Sequence, residues 1–134
     1  MEKVIENFRT ILVEGKEYVE LCKSSDIFER KGSRFFFGDN PDNQVAVFRI
    51  KGNLYALANI CPHRHQDQIF NGIIEDLKVI CPVHGWTYSL ETGENVELRQ
   101  GIRSLKKYNI IEQNGVVYLE KPDFEPQKWK LAEE

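Results

Sequence analysis

Apolar and polar positions along the chain break into short runs separated by turn residues. Residues 18–22, 34–37, 44–50, 54–60, 78–81, 86–90, 104–111 and 116–120 read as strands, rich in β-branched and aromatic side chains. Between them lie the punctuators Ser24-Ser25-Asp26, a turn or brief helical piece, and Gly38-Asp39-Asn40-Pro41. Further turns follow at Lys51-Gly52-Asn53, Glu91-Thr92-Gly93-Glu94 and Gln113-Asn114-Gly115. The runs on either side of Lys51-Gly52-Asn53 predict a β-hairpin. Residues 1–16 carry Val4, Ile5, Phe8, Ile11 and Leu12 on one helical face and stop at Gly15, so a helix is expected, with β-prone residues 8–13 as the competing reading. Many short strands and frequent turns predict an all-β fold, a small antiparallel β-sandwich or barrel.

Composition narrows this picture. The 134 residues suit one domain, and 41% apolar with 29% charged residues is a globular balance rather than a disordered or fibrous one. Lys and Arg number 18 against 21 Asp and Glu, a net charge of −3 without the basic surface that nucleic acid demands. No apolar run approaches the ~18 residues of a membrane span. The N-terminal residues lack a secretory pattern, and three cysteines form no evident disulfide framework, so a reducing cytoplasm is expected. Neither a G-x-G-x-x-G nor a P-loop occurs.

All three histidines and two of the three cysteines fall between positions 61 and 84. They read Cys61-Pro62-His63-Arg64-His65 and Cys81-Pro82-Val83-His84-Gly85-Trp86: a Cys-x-His, 17 intervening residues, then a Cys-x-x-His. Each Cys stands where a predicted strand gives way to a loop. Two neighbouring loops, each offering one soft thiolate and one imidazole, suit a small metal centre. Zinc is the plain alternative for two Cys and two His, but zinc fingers normally place both cysteines in one half. Here each half is mixed.

This pattern resembles the Rieske-type [2Fe–2S] proteins, and the likeness extends over roughly residues 18–120. It includes Gly85-Trp86 with an aromatic at Tyr88, the Thr92-Gly93-Glu94 turn, the closing Tyr108 and Gly115-Val116-Val117-Tyr118, and the lead-in from Val45 to Ile60. The resemblance implies one cluster per chain, Cys61 and Cys81 on one iron and His63 and His84 on the other. Neutral imidazoles in place of two thiolates raise the potential, and their remaining N–H groups imply a potential that falls at high pH. The high-potential respiratory members carry a disulfide between the cluster loops and a Ser after the second-loop Gly. This chain has no Cys at the matching places and Trp86 at the Ser position, which implies fewer hydrogen bonds to sulfur and a potential on the order of −150 to 0 mV. His65 stands where soluble members usually have Gly.

The expected organisation is an extension at 1–16, a Rieske domain at 17–121 with its cluster-binding part at about 60–90, and a tail at 122–134. The resemblance implies an electron-transfer protein rather than an enzyme. It would carry single electrons from a flavin-containing NAD(P)H reductase to a terminal oxygenase, such as a ring-hydroxylating dioxygenase. The alternative is the small subunit of an NADH-dependent assimilatory nitrite reductase, and a redox-sensing or structural metal module stands third. Neither nucleic acid nor membrane is an expected partner. Arg64 neighbours His63 and suits steering of a partner, while His65 reads as a loop residue or a tuner of the centre. Trp86 and Tyr88 are expected to pack beneath the loops. Cys22 reads as an inert core thiol, Glu29–Lys31 as solvated surface, and Trp129 with Lys128 and Lys130 as cover for a sheet edge.

Overall fold

The computed structural model describes residues 1–6, 9–60, 67–83, 85–97 and 104–124, together with the backbone of 130–131. The strands are β1 (Glu2–Ile5), β2 (Arg9–Val13), β3 (Lys16–Lys23), β4 (Gly32–Phe37), β5 (Gln44–Ile50), β6 (Asn53–Ala58) and β7 (Ile73–Glu75). They continue as β8 (Lys78–Ile80), β9 (Thr87–Ser89), β10 (Lys107–Tyr108), β11 (Ile110–Gln113), β12 (Val116–Glu120) and β13 (Lys130–Leu131). Two short 3₁₀ turns, Ser24–Asp26 and Ile69–Asn71, are the helical pieces among the described residues, and no described helix is long and apolar enough to cross a membrane.

Three sheets result, in the orders β1-β4-β5-β6-β10, β11-β12-β3-β2-β13 and β7-β8-β9. The pairings are antiparallel except at two edges, where β1 runs parallel to β4 and β13 parallel to β2. The expected all-β architecture of antiparallel sheets is therefore present. Strand β5 explains the layering. Val45 and Val47 face a core shared with Val19, Leu21, Phe35, Val117 and Leu119, whereas Ala46, Phe48 and Ile50 face a second core. Alternate residues of one strand point to opposite faces, so the first five-stranded sheet is a middle layer with apolar contacts on both sides. The second core joins it to the three-stranded sheet through Val79, Cys81, Tyr88 and Leu90.

The N-terminal segment differs from the expected helix. Val4 is 50% and Leu12 60% exposed, so no continuous apolar stripe is buried there. Instead β1 and β2 each satisfy a sheet's hydrogen-bonding edge, and Glu14-Gly15, at φ 52° and 82°, is the two-residue turn joining β2 to β3. Gly15 marks a hairpin, not a helix end. Strand β7, absent from the strands expected above, adds an edge to β8. Glu29 and Arg30 are exposed, yet they are not idle surface charges. The Glu29 carboxylate accepts the amides of Lys51 and of Gly52 (3.0 Å), and Arg30 Nη2 donates to the Ile74 carbonyl at 2.9 Å. Together they tie the β5–β6 turn to β7.

Candidate metal centre

Strand β8 delivers Cys81 to the start of the second motif loop, and β9 leads away from it. The Cys81 amide donates to the Trp86 carbonyl at 2.7 Å, and the Gly85 amide donates back to the Cys81 carbonyl at 2.8 Å. Thr87 Oγ1 adds a contact to the Gly85 carbonyl at 3.3 Å. Gly85 adopts φ 73°, a conformation that an L side chain takes only with strain, and a Cβ placed there would meet no described atom within 4 Å. Cys81 is 1% exposed and belongs to the second core; fully buried Tyr88 and half-buried Trp86 pack in the same cluster. Tyr88 stands opposite Val79 in the β8–β9 ladder. Trp86 and Tyr88 thus share the second core with Cys81. His84 lies outside the described residues.

Cys61, His63, Arg64 and His65 also lie outside them, but both flanks of the first motif loop are described. Asn59 is completely buried just past the end of β6. Its Nδ2 donates to Gln44 Oε1 at 2.7 Å and to the Asp67 carbonyl at 2.8 Å, while its Oδ1 accepts the Phe70 amide at 2.8 Å. One side chain therefore holds the chain before residue 61 to the chain after residue 66. Gln44 is itself fixed by donating to the Pro41 carbonyl at 2.6 Å. Arg34, from β4, donates to Asp67 Oδ2 at 3.0 Å and lies over the Phe70 ring at 4.3 Å. Asn59, Gln44, Arg34 and Asp67 are not singled out by the sequence pattern. A signal existed in Asn59, an amide side chain ending an apolar run two residues before Cys61.

Among the described residues no three His, Cys, Asp or Glu side chains converge. Cys22 sits apart in the first core, 4% exposed, and burial foremost, then the Asp26 charge, pushes its thiol up to about 11. An inert core thiol fits that position. Lys128 and Trp129 lie outside the described residues, while the Lys130–Leu131 backbone does pair with the β2 edge.

Residues 17–120 match the family described as a Rieske-like [2Fe-2S] domain. The chain is 29% identical over 80 residues to the ferredoxin component of the alkene monooxygenase system of Xanthobacter autotrophicus, a match covering 60% of this chain and 63% of that one. The chain thus spans less than two thirds of that relative's length. It is 26% identical over 105 residues to the 3-phenylpropionate/cinnamic acid dioxygenase ferredoxin subunit of Escherichia coli K12, covering 78% of this chain and 94% of that one. In fold it is similar to a ferredoxin of Sphingomonas yanoikuyae B1, with a TM-score of 0.68 at 20% identity, covering 78% of this chain and 99% of the other.

Proposed function

This chain belongs to the Rieske-like [2Fe-2S] domain family, and we propose that it is a Rieske-type ferredoxin carrying single electrons from a flavin-containing NAD(P)H reductase to a terminal oxygenase. The family match over residues 17–120 carries this reading, and the Xanthobacter and Escherichia coli relatives are both named as ferredoxin parts of oxygenase systems. The proposed domain is 17–121, with its cluster-binding part at about 60–90 between the flanking segments 1–16 and 122–134. We assign one cluster per chain, with Cys61 and Cys81 on one iron and His63 and His84 on the other. When bound, such a group supplies a one-electron couple, whose potential depends on its ligands and on hydrogen bonds to sulfur.

The described residues fit that group. Cys81 offers a thiol in a dry, apolar setting, on a loop whose ends are locked together by the Cys81–Trp86 and Gly85–Cys81 hydrogen bonds. Gly85 leaves open the space that a side chain would fill. Trp86 and Tyr88 exclude water from the base of the loop, and Asn59 with Arg34 fixes the chain on leaving the first motif. Arg64 and His65, beside His63, are the residues we assign to meeting the partner. A reducing cytoplasm, where a thiol such as Cys22 persists unpaired, is the compartment we propose.

The test is an EPR spectrum of the dithionite-reduced, anaerobically purified protein, with iron, sulfide and zinc quantified on the same sample. Two irons per chain and a rhombic signal of low average g are expected. Zinc without a signal would overturn the assignment. Reoxidation of the reduced protein by a terminal oxygenase, and not by a sirohaem nitrite reductase, separates the proposed acceptor from the other.

A further inference from the structure

Arg34 joins parts of the chain that are far apart in sequence. Its Nη2 pairs with the Glu2 carboxylate of β1, its Nη1 with Asp67 Oδ2 at 3.0 Å, and its amide donates to the Met1 carbonyl at 2.9 Å. The guanidinium lies over Phe70 at 4.3 Å and Phe36 at 5.0 Å, and the side chain is 16% exposed. A planar fork can serve two carboxylates at once while its face rests on an aromatic ring, which a lysine ammonium does not do. Asp67 is doubly held, by Arg34 at its carboxylate and by Asn59 at its carbonyl. It also directly follows residues 61–66 in the sequence, which carry Cys61 and His63. Glu2, at the other end of the linkage, lies outside the 17–120 segment shared with the family.

We propose that Arg34 is a positioning residue through which the N-terminal strand controls how firmly the first ligand segment is anchored. The linkage Glu2–Arg34–Asp67 makes β1 part of the scaffold of the centre and not merely an added sheet edge. This rests on reading residues 61–66 as a ligand segment. Its energetic weight is that of a partly exposed ion pair, up to ~1 kcal/mol, or about fivefold in a rate or equilibrium that depends on it. The weight is also sensitive to salt.

The experiment compares full-length wild type with Glu2→Gln, Glu2→Asp, Arg34→Lys and, as a control, Lys106→Gln, which loses its exposed pair with Asp123 and its place over the Tyr108 ring. Tryptic cleavage after Arg64 in the apoprotein, normalised to cleavage after Lys51 in the β5–β6 turn, reads the anchoring without any cluster. The rate of cluster loss to a chelator and the EPR line shape read it in the loaded protein. Glu2→Gln and Arg34→Lys should each raise relative cleavage after Arg64 and the rate of cluster loss by about fivefold. They should also shift the EPR line shape, whereas Glu2→Asp and Lys106→Gln stay near wild type. High salt should bring wild type towards Glu2→Gln. A merely structural loss would raise cleavage at both sites together, and that outcome, or unchanged rates in both variants, overturns the proposal. Wild-type protein without iron and sulfide overturns the ligand reading instead, while the relative cleavage after Arg64 still decides the anchoring.

Discussion

Cys81 and Trp86 face each other across the second motif loop, the Cys81 amide donating to the Trp86 carbonyl at 2.7 Å. This pair continues the β8–β9 ladder by one step and closes the base of the second motif loop. The thiol orientation therefore follows from sheet register. Gly85 lets the loop close, because its φ of 73° is costly for any residue with a Cβ.

Gly85→Ala should accordingly destabilise the protein by about 1–2 kcal/mol, the left-handed backbone penalty alone, since nothing described would touch the new methyl. Gly93→Ala should cost markedly more. It has a similar φ of 80°, but its Cβ would come within 2.1 Å of the Leu105 carbonyl oxygen. Urea midpoints of the two variants measured side by side should preserve that order. A Gly85→Ala penalty equal to that of Gly93→Ala would mean that a methyl at position 85 meets a steric obstacle of its own.

Asn59 is the polar keystone beside the first motif. Asn59→Leu removes the donors to Gln44 and Asp67 and the acceptor for the Phe70 amide at once, leaving buried polar groups unpaired. At about 1–3 kcal/mol for each such group, a loss of at least 2–3 kcal/mol is expected. Asn59→Asp keeps an acceptor for the Phe70 amide but sets a carboxylate against two oxygens. Thermal unfolding should show both variants well below wild type, with Asn59→Asp gaining ground at acid pH, where a protonated carboxyl regains one donor.

Cys81→Ser tests the thiolate half of the proposed centre. A hydroxyl replaces the sulfur at nearly the same volume in a site that is 1% exposed, so the apoprotein should keep its fold, while iron and sulfide fall towards zero. Metal analysis and circular dichroism on one preparation separate the two effects. A full complement of cluster in Cys81→Ser would remove Cys81 from the ligand set.

How much of this was legible from the chain depended on whether a residue's role is local. The β5 run Val45-Ala46-Val47-Phe48 announces a strand because both its faces are buried, and β12 alternates buried Val117 and Leu119 with half-buried neighbours. The two Cys/His motifs stood out because metal ligands must be specific residue types at close spacing. The N-terminal segment differs from the expected helix because helical spacing of apolar residues in a short window also fits two short strands. Only the partner strands β4 and β3 decide between them. Arg34 and Gln44 are hidden for a related reason: the partners that matter lie 33 and 15 residues away, and nothing in the local pattern signals such contacts. Glu29 and Arg30 looked like surface charges until the fold set backbone amides and a carbonyl before them.

Tyr108 gives the protein a dependence on alkaline pH. It is 4% exposed on β10, and burial foremost, followed by the charges of Asp123 and Glu120, pushes its phenol up to about 12. The unfolded chain, with an ordinary tyrosine near 10, releases this proton first. The folded-state value is raised, so the contribution to stability is fully present below pH ~10 and is lost as pH rises towards 12. A displacement of this size corresponds to about 2–3 kcal/mol across the window. Unfolding free energies measured from pH 9 to 12 should therefore fall more steeply for wild type than for Tyr108→Phe, which has no proton to lose. Asp123→Asn, which removes one of the two neighbouring negative charges, should lie between them. Parallel curves for wild type and Tyr108→Phe would mean that the phenol ionises as freely in the folded protein as in the unfolded chain.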